Sequence, residues 1–194
     1  ADFILEGPIN AAGSLFTWLN YLGLDFDIKN LDKICAQAKN PASFFPALGG
    51  IGAPLWDFNL TPVLSGLKPN TAKSDIIAGA VRGLAFLTAD IINYIAKSGF
   101  TAERVLASGG LSASSSMLKF QSDILQKTII RAKETETGLL GAAYIAAQSD
   151  EAETSNWEIF KDYEVFEPSM PPREAAELYA RWRQFADWAQ NQPK

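Results

Sequence analysis

The sequence predicts an α/β domain. Three observations carry that prediction. From 104 to 149 extended and helical patterns alternate as strand, helix, strand, helix, the order that builds sheet and helix layers around one core. Over 75–97 apolar residues recur every three or four positions, the period of a helix with a buried face. Paired glycines at 109–110 stand between a strand pattern and a helix start, a junction where the backbone must turn sharply.

Residues 2–6 (DFILE) read as a short strand, broken by Gly7, Pro8 and Asn10. Asn10 is a candidate cap for a helix over 11–22, whose apolar side is Leu15, Phe16, Trp18, Leu19 and Leu22. A short helix over Leu31–Lys39 ends before Pro41. SFFPAL at 43–48 runs into GGIGAPLWD at 49–57, where three glycines and a proline prevent a regular element. PVLSGL at 62–67 is a second extended piece. Ser74 is a candidate N-cap for the helix over 75–97, and Gly99 closes it. A strand over 104–110 follows, then a helix over 115–126 with several serines as candidate caps, a strand at 127–132 and a helix at 137–149 whose small residues allow close packing. Residues 150–172 are acidic, then proline-rich, and read as an irregular connection before a last helix over 173–190. Leu178, Tyr179, Trp182, Phe185 and Ala189 share one side of it.

Composition narrows the function classes. Of 194 residues 47% are hydrophobic and 20% charged, enough apolar material for a core without disulfides. The net charge of −5 makes the chain a poor nucleic-acid binder, because phosphodiester backbones are repelled. There is no histidine, which removes Ser-His-Asp and Cys-His catalysis and histidine metal sites. Cys35 is alone; it reads as a small buried hydrophobe, and a lone thiol points to a reducing cytoplasm. No apolar run reaches membrane-spanning length, since Arg82 and Asp90 interrupt the longest candidate, 76–96, and no membrane partner is expected. The first residues lack the basic and apolar regions of a signal peptide, and the start reads like the middle of a domain.

The chemistry-bearing unit is the strand, Gly109-Gly110, serine-rich run and helix. Glycines let a backbone approach a phosphate closely, and a helix start adds unpaired N–H groups and a positive dipole end. Ser112, Ser114, Ser115 and Ser116 add hydroxyls. Taken alone, such a pair is more often a tight packing turn.

SGGLSASSSMLKFQSDIL (108–125) with IIRAKETETGLLGAAYIAA (129–147) closely resembles the C-terminal signature of the FGGY carbohydrate kinases. GIGAPLWD at 50–57, LSGL at 64–67 and FEPSMPPREAAELYARWRQF at 166–185 are similar to further family runs, in the family's order. The resemblance implies an actin-like, ribonuclease-H-like ATPase domain over 1–149, lacking its first strands here, with 150–194 packed on the same domain as a connection and helix. It implies transfer of the ATP γ-phosphate to a sugar or polyol hydroxyl, with Mg²⁺ carried by the nucleotide. ATP and ADP are the implied partners, and the sugar or polyol binds through an N-terminal domain. A homodimer is left open, as is the alternative of a non-catalytic nucleotide-binding regulatory domain.

Carried over by motif, Gly109 and Gly110 form the nucleotide-contacting turn and Ser114 falls at a nucleotide-contacting position. Ala12-Gly13-Ser14 resembles a run whose glycine lies beside the phosphates, and Thr17 falls near the terminal phosphate. Gly13 serves equally well for close helix packing, and Thr17 also reads as a plain surface residue. No metal ligand and no catalytic residue is assigned; the base is expected in an N-terminal part of the protein. Asp57 is the best-placed acid by motif, with a loop-fixing role. Ser108, Arg82, Gly79, Gly138 and Pro62 depart from the family pattern; Arg82 stands where an acid is usual.

Overall fold

A computed structural model describes residues 6–10, 12–132, 136–149 and 162–192. The predicted strand at 2–6 lies outside the described residues, except for Glu6. The first elements are α1 (Ala12–Tyr21), α2 (Leu31–Gln37), β1 (Ser43–Phe45), β2 (Val63–Ser65) and α3 (Lys73–Lys97). They are followed by β3 (Arg104–Ala107), α4 (Ser115–Leu125), β4 (Thr128–Ala132), α5 (Thr137–Ser149), β5 (Tyr163–Phe166) and α6 (Pro172–Gln190).

Two small sheets form among the described residues. β1 and β2 pair antiparallel, with Phe44 opposite Leu64. β3 and β4 pair parallel, with Val105 opposite Ile129, and α4 is the crossover between them. β5 adds antiparallel to β4, with Val165 opposite Ile130. The sequence pattern places β5 inside an irregular connection. Tyr163 and Val165 are exposed at 56% and 48%, so this edge strand carries little of the apolar alternation that marks a half-buried one.

α3 is the central element. Ile77, Ala80, Val81 and Leu84 pack with Leu15, Phe16, Leu19, Leu31 and Phe44 in one cluster. Phe86, Leu87 and Ala89 pack with Phe45, Ile51, Leu60, Ile124, Trp182 and Ala186 in another. Strand alternation explains how β1 serves both, because Phe44 and Phe45 point to opposite faces. α3 lies close on β1: a Cβ at Gly79 would stand 2.4 Å from the Ala42 carbonyl oxygen, and one at Gly83 2.6 Å from that of Phe44.

Three expectations change. Ser74 lies inside the first turn of α3 rather than capping it. Asp75 does the capping: its carboxylate accepts the Ala72 N–H at 3.0 Å, and also those of Lys39 at 2.8 Å and Asn40 at 2.9 Å. Those last two bonds pull the chain out of the helix, so α2 stops at Gln37. The small residues of α5 allow close packing, and its Leu139 and Ile145 are 71% and 69% exposed. Leu22, assigned to the apolar side of α1, is likewise 59% exposed, beyond the end of that helix.

Across the other sheet, the Ser122 hydroxyl lies 2.9 Å from the carbonyl oxygens of Lys127 and Phe166, tying α4 to β5. Asp123 accepts the N–H groups of Ser169 and Met170 at 2.6 and 2.9 Å and anchors the chain that leads to α6.

Candidate nucleotide cleft

Ligands in parallel sheets bind outside the carboxyl ends of the strands. β3 ends at Ala107, and Ser108, Gly109 and Gly110 follow. Gly109 has φ +85°, a left-handed conformation that a side chain would strain. Gly110 then opens a 3₁₀ turn, Gly110–Ala113, that leads to α4. Nothing lies within 4 Å of a Cβ built at either glycine, and Gly110 is exposed. The turn is held from within: the Ser112 hydroxyl donates to the Gly109 carbonyl at 2.7 Å. Arg131 of β4 donates to the carbonyls of Ser112 and Ala113 at 2.9 and 3.0 Å and pairs with Glu164. Ser108 accepts a bond from Thr137 at 2.9 Å, joining the end of β3 to the start of α5.

Asp32 was not singled out by the sequence pattern. It reaches from α2 to the start of α4, where it accepts the Ser114 hydroxyl at 2.7 Å and the N–H groups of Ser115 and Ser116 at 3.1 and 2.9 Å. Ser114 in turn caps α4 by accepting the Met117 N–H at 3.2 Å. The N–H groups expected to be unpaired at this helix start therefore already have an anion, supplied by the chain itself. Burial pushes the Asp32 pKa up, but the bonds from Ser114, Ser116 and Ser115 outweigh it and hold it below the ordinary 3.8.

Between the Ile28–Asn30 turn, α2 and the glycine turn runs a cleft of about 280 Å³. That is close to the lower end for small-ligand pockets, roughly 300–1,000 Å³. Ile28, Leu31 and Leu111 give it apolar walls, and Lys29, Asp32, Gly110 and Ser114 a polar rim. The structure thus brings Gly110 and Ser114 together, with Gly109 next in the chain. Gly13 and Thr17 stand elsewhere, both exposed and one helical turn apart on α1. A close-packing role for Gly13 is not supported, since a Cβ there would meet nothing within 4 Å. Asp57 fixes its loop: its carboxylate accepts the Asn59 N–H at 2.9 Å and its carbonyl that of Ile51 at 2.9 Å.

Asp75 and Asp123 are also held below 3.8. For Asp75 the bonds from Asn40 and Ala72 are the main cause; for Asp123 burial opposes, and the bonds from Ser169 and Met170 and the Lys119 charge outweigh it. A depressed folded pKa gives stability that is present above the ordinary value and lost as pH falls through the folded one. Urea unfolding should therefore show stability falling as pH drops below 3.8, and Asp32→Asn should flatten that slope. An unchanged slope in the variant would contradict the role given to Asp32.

The fold is an α/β domain with a cleft at the carboxyl end of its parallel strand pair. The profile described as the FGGY family of carbohydrate kinases, C-terminal domain, matches residues 1–149, and the chain belongs to that family. The glycerol kinase of Xanthomonas campestris pv. campestris (strain 8004) is 36% identical over 191 residues, covering 94% of this chain and 38% of that protein. That of Borreliella afzelii (strain PKo) is 33% identical over 205 residues, covering 97% of this chain and 40% of that protein. The Plasmodium falciparum glycerol kinase with ADP superposes with a TM-score of 0.84 at 24% identity, covering 95% of this chain and 38% of that one. The ligand-bound xylulose kinase of Lactobacillus acidophilus gives 0.77 at 24% identity, covering 96% and 40%. The fold is thus the actin-like ATPase fold of these kinases, and the chain spans about 40% of the length of such relatives.

Proposed function

We propose that this chain is the ATP-binding C-terminal half of a kinase that transfers the γ-phosphate to a hydroxyl of a sugar or polyol. The carrying observation is the cleft that joins Gly110 and Ser114 at the carboxyl end of β3. Its residues fit the nucleoside end of ATP. Ile28 and Leu111 offer apolar surface to a flat base, and Gly110 leaves its backbone open to close approach. Asp32 has filled the α4 helix start, so that end of the cleft disfavours phosphates. The phosphate chain would run past Gly109 and Gly110, with Gly13 and Thr17 as further contacts on the family resemblance. Mg²⁺ would arrive with the nucleotide and needs few direct protein ligands. Catalysis in such transfers rests on positioning and charge stabilisation. The base and the substrate pocket would come from the rest of the kinase.

Gly110→Val tests the cleft. Gly110 needs no left-handed φ and its Cβ would meet no protein atom, so the melting temperature should stay put. A branched side chain would obstruct the nucleotide, and ATP affinity in the full-length protein should fall by about 1–3 kcal/mol, the range for an overpacked site. Unchanged ATP affinity in the folded variant would sink the assignment.

A further inference from the structure

We propose that Asp32 and Ser114 select the base of the nucleotide. Together they offer the cleft a wall of hydrogen-bond acceptors, which takes a base with an amino group on its edge, as adenine has, and rejects one with a carbonyl in that place. The inference rests on the reading of this cleft as the nucleoside site.

The wall follows from counting hydrogens. A hydroxyl has one hydrogen and two lone pairs, and an ionised carboxylate can only accept. Asp32 is ionised at neutral pH, its pKa lying below the ordinary 3.8. Ser114 is therefore the donor in their 2.7 Å bond, and its one hydrogen is spent there. One of its lone pairs takes the Met117 N–H at 3.2 Å. The other lone pair is what remains for a ligand. The N–H groups of Ser115 and Ser116 are spent on the same carboxylate, at 3.1 and 2.9 Å. Asp32 and Ser114 both line the cleft, so its polar wall at the start of α4 carries a negative charge and a lone pair. Lys29 also lines the cleft but is exposed, where water competes for its donors.

The polarity of this wall is locked. Ser114 cannot turn its hydrogen toward a ligand without leaving the carboxylate short of a partner, and bonds to charged groups are costly to lose. A base hydrogen-bonds through its edge, where an amino group donates and a carbonyl accepts. An amino group satisfies the free lone pair of Ser114. A carbonyl oxygen would meet that lone pair and the Asp32 charge with no hydrogen between them. A site that holds its acceptors in place discriminates against an analogue lacking the matching donor.

The experiment measures binding of ADP and of inosine diphosphate to the full-length protein by calorimetry. Inosine diphosphate has a carbonyl where adenine has its 6-amino group. ADP is expected to bind at least about tenfold more tightly, in keeping with one hydrogen bond made against one opposed. In Asp32→Asn the carboxamide can donate to the Ser114 oxygen and release the hydroxyl hydrogen to the ligand, so the ratio should fall to near one. Ser114→Ala keeps the carboxylate and removes the hydroxyl, and should lower the ratio by about threefold or more, the worth of one hydrogen bond. It carries the test even if Asp32→Asn does not fold. A purely structural role would weaken both nucleotides alike and leave the ratio where it was. Equal affinities in the wild type, or an unchanged ratio in either folded variant, would overturn the selection while leaving the cleft a nucleotide site. Binding of neither nucleotide would instead overturn the reading of the cleft, and the inference with it.

Discussion

Trp182→Ala is expected to destabilise the domain by about 3–5 kcal/mol, the range for removing a buried aromatic side chain. Trp182 is 5% exposed and packs among Phe45, Phe86 and Tyr179, with centroids 6.4, 5.1 and 6.4 Å away. Its indole N–H donates to the Phe44 carbonyl at 3.2 Å. Truncation would open a cavity in the cluster shared by α3, β1 and α6, and leave that carbonyl without its partner. Urea unfolding of wild type and variant measures the difference. A loss below about 1 kcal/mol would mean that α6 is not part of this core.

Gly79→Ala should cost about 3 kcal/mol, the upper end for overpacking, although it adds a single methyl group and suits a helix by propensity. The new Cβ would stand 2.4 Å from the Ala42 carbonyl oxygen and 3.2 and 3.3 Å from the carbonyl carbon and nitrogen of that residue. All three are backbone atoms and cannot rotate away as a side-chain tip would. Either α3 lifts off β1, or β1 shifts and drags Phe44 and Phe45 out of their clusters. A thermal melt decides: a variant as stable as wild type would show that the α3–β1 contact yields easily.

The regular elements were largely legible because their signals are local. The apolar period of α3, the stop at Gly99 and the strand–glycine–helix junction at 104–115 are patterns within a few residues of one another. The cleft was legible in part. Gly110 and Ser114 follow from motif, and the structure places both on its lining. Asp32 was hidden, because its bonds reach Ser114, Ser115 and Ser116 across more than eighty residues and nothing near it in the chain announces them. Arg131 was hidden too: it braces the turn from β4, on the far side of α4. Asp75 outweighed Ser74 because a carboxylate in that place meets three N–H groups, one at the helix start and two from the loop that follows α2.

The bond from Trp182 to Phe44 joins residues 138 positions apart. At ribosomal speeds of about 5–20 residues per second, that separation is an interval on the order of ten seconds. Phe45 at its start and Phe86 partway through it are made before the helix that covers them. The nascent domain therefore passes through a stage with an open apolar face, the kind of surface on which chaperones act, and its native core is sealed only when α6 leaves the exit tunnel.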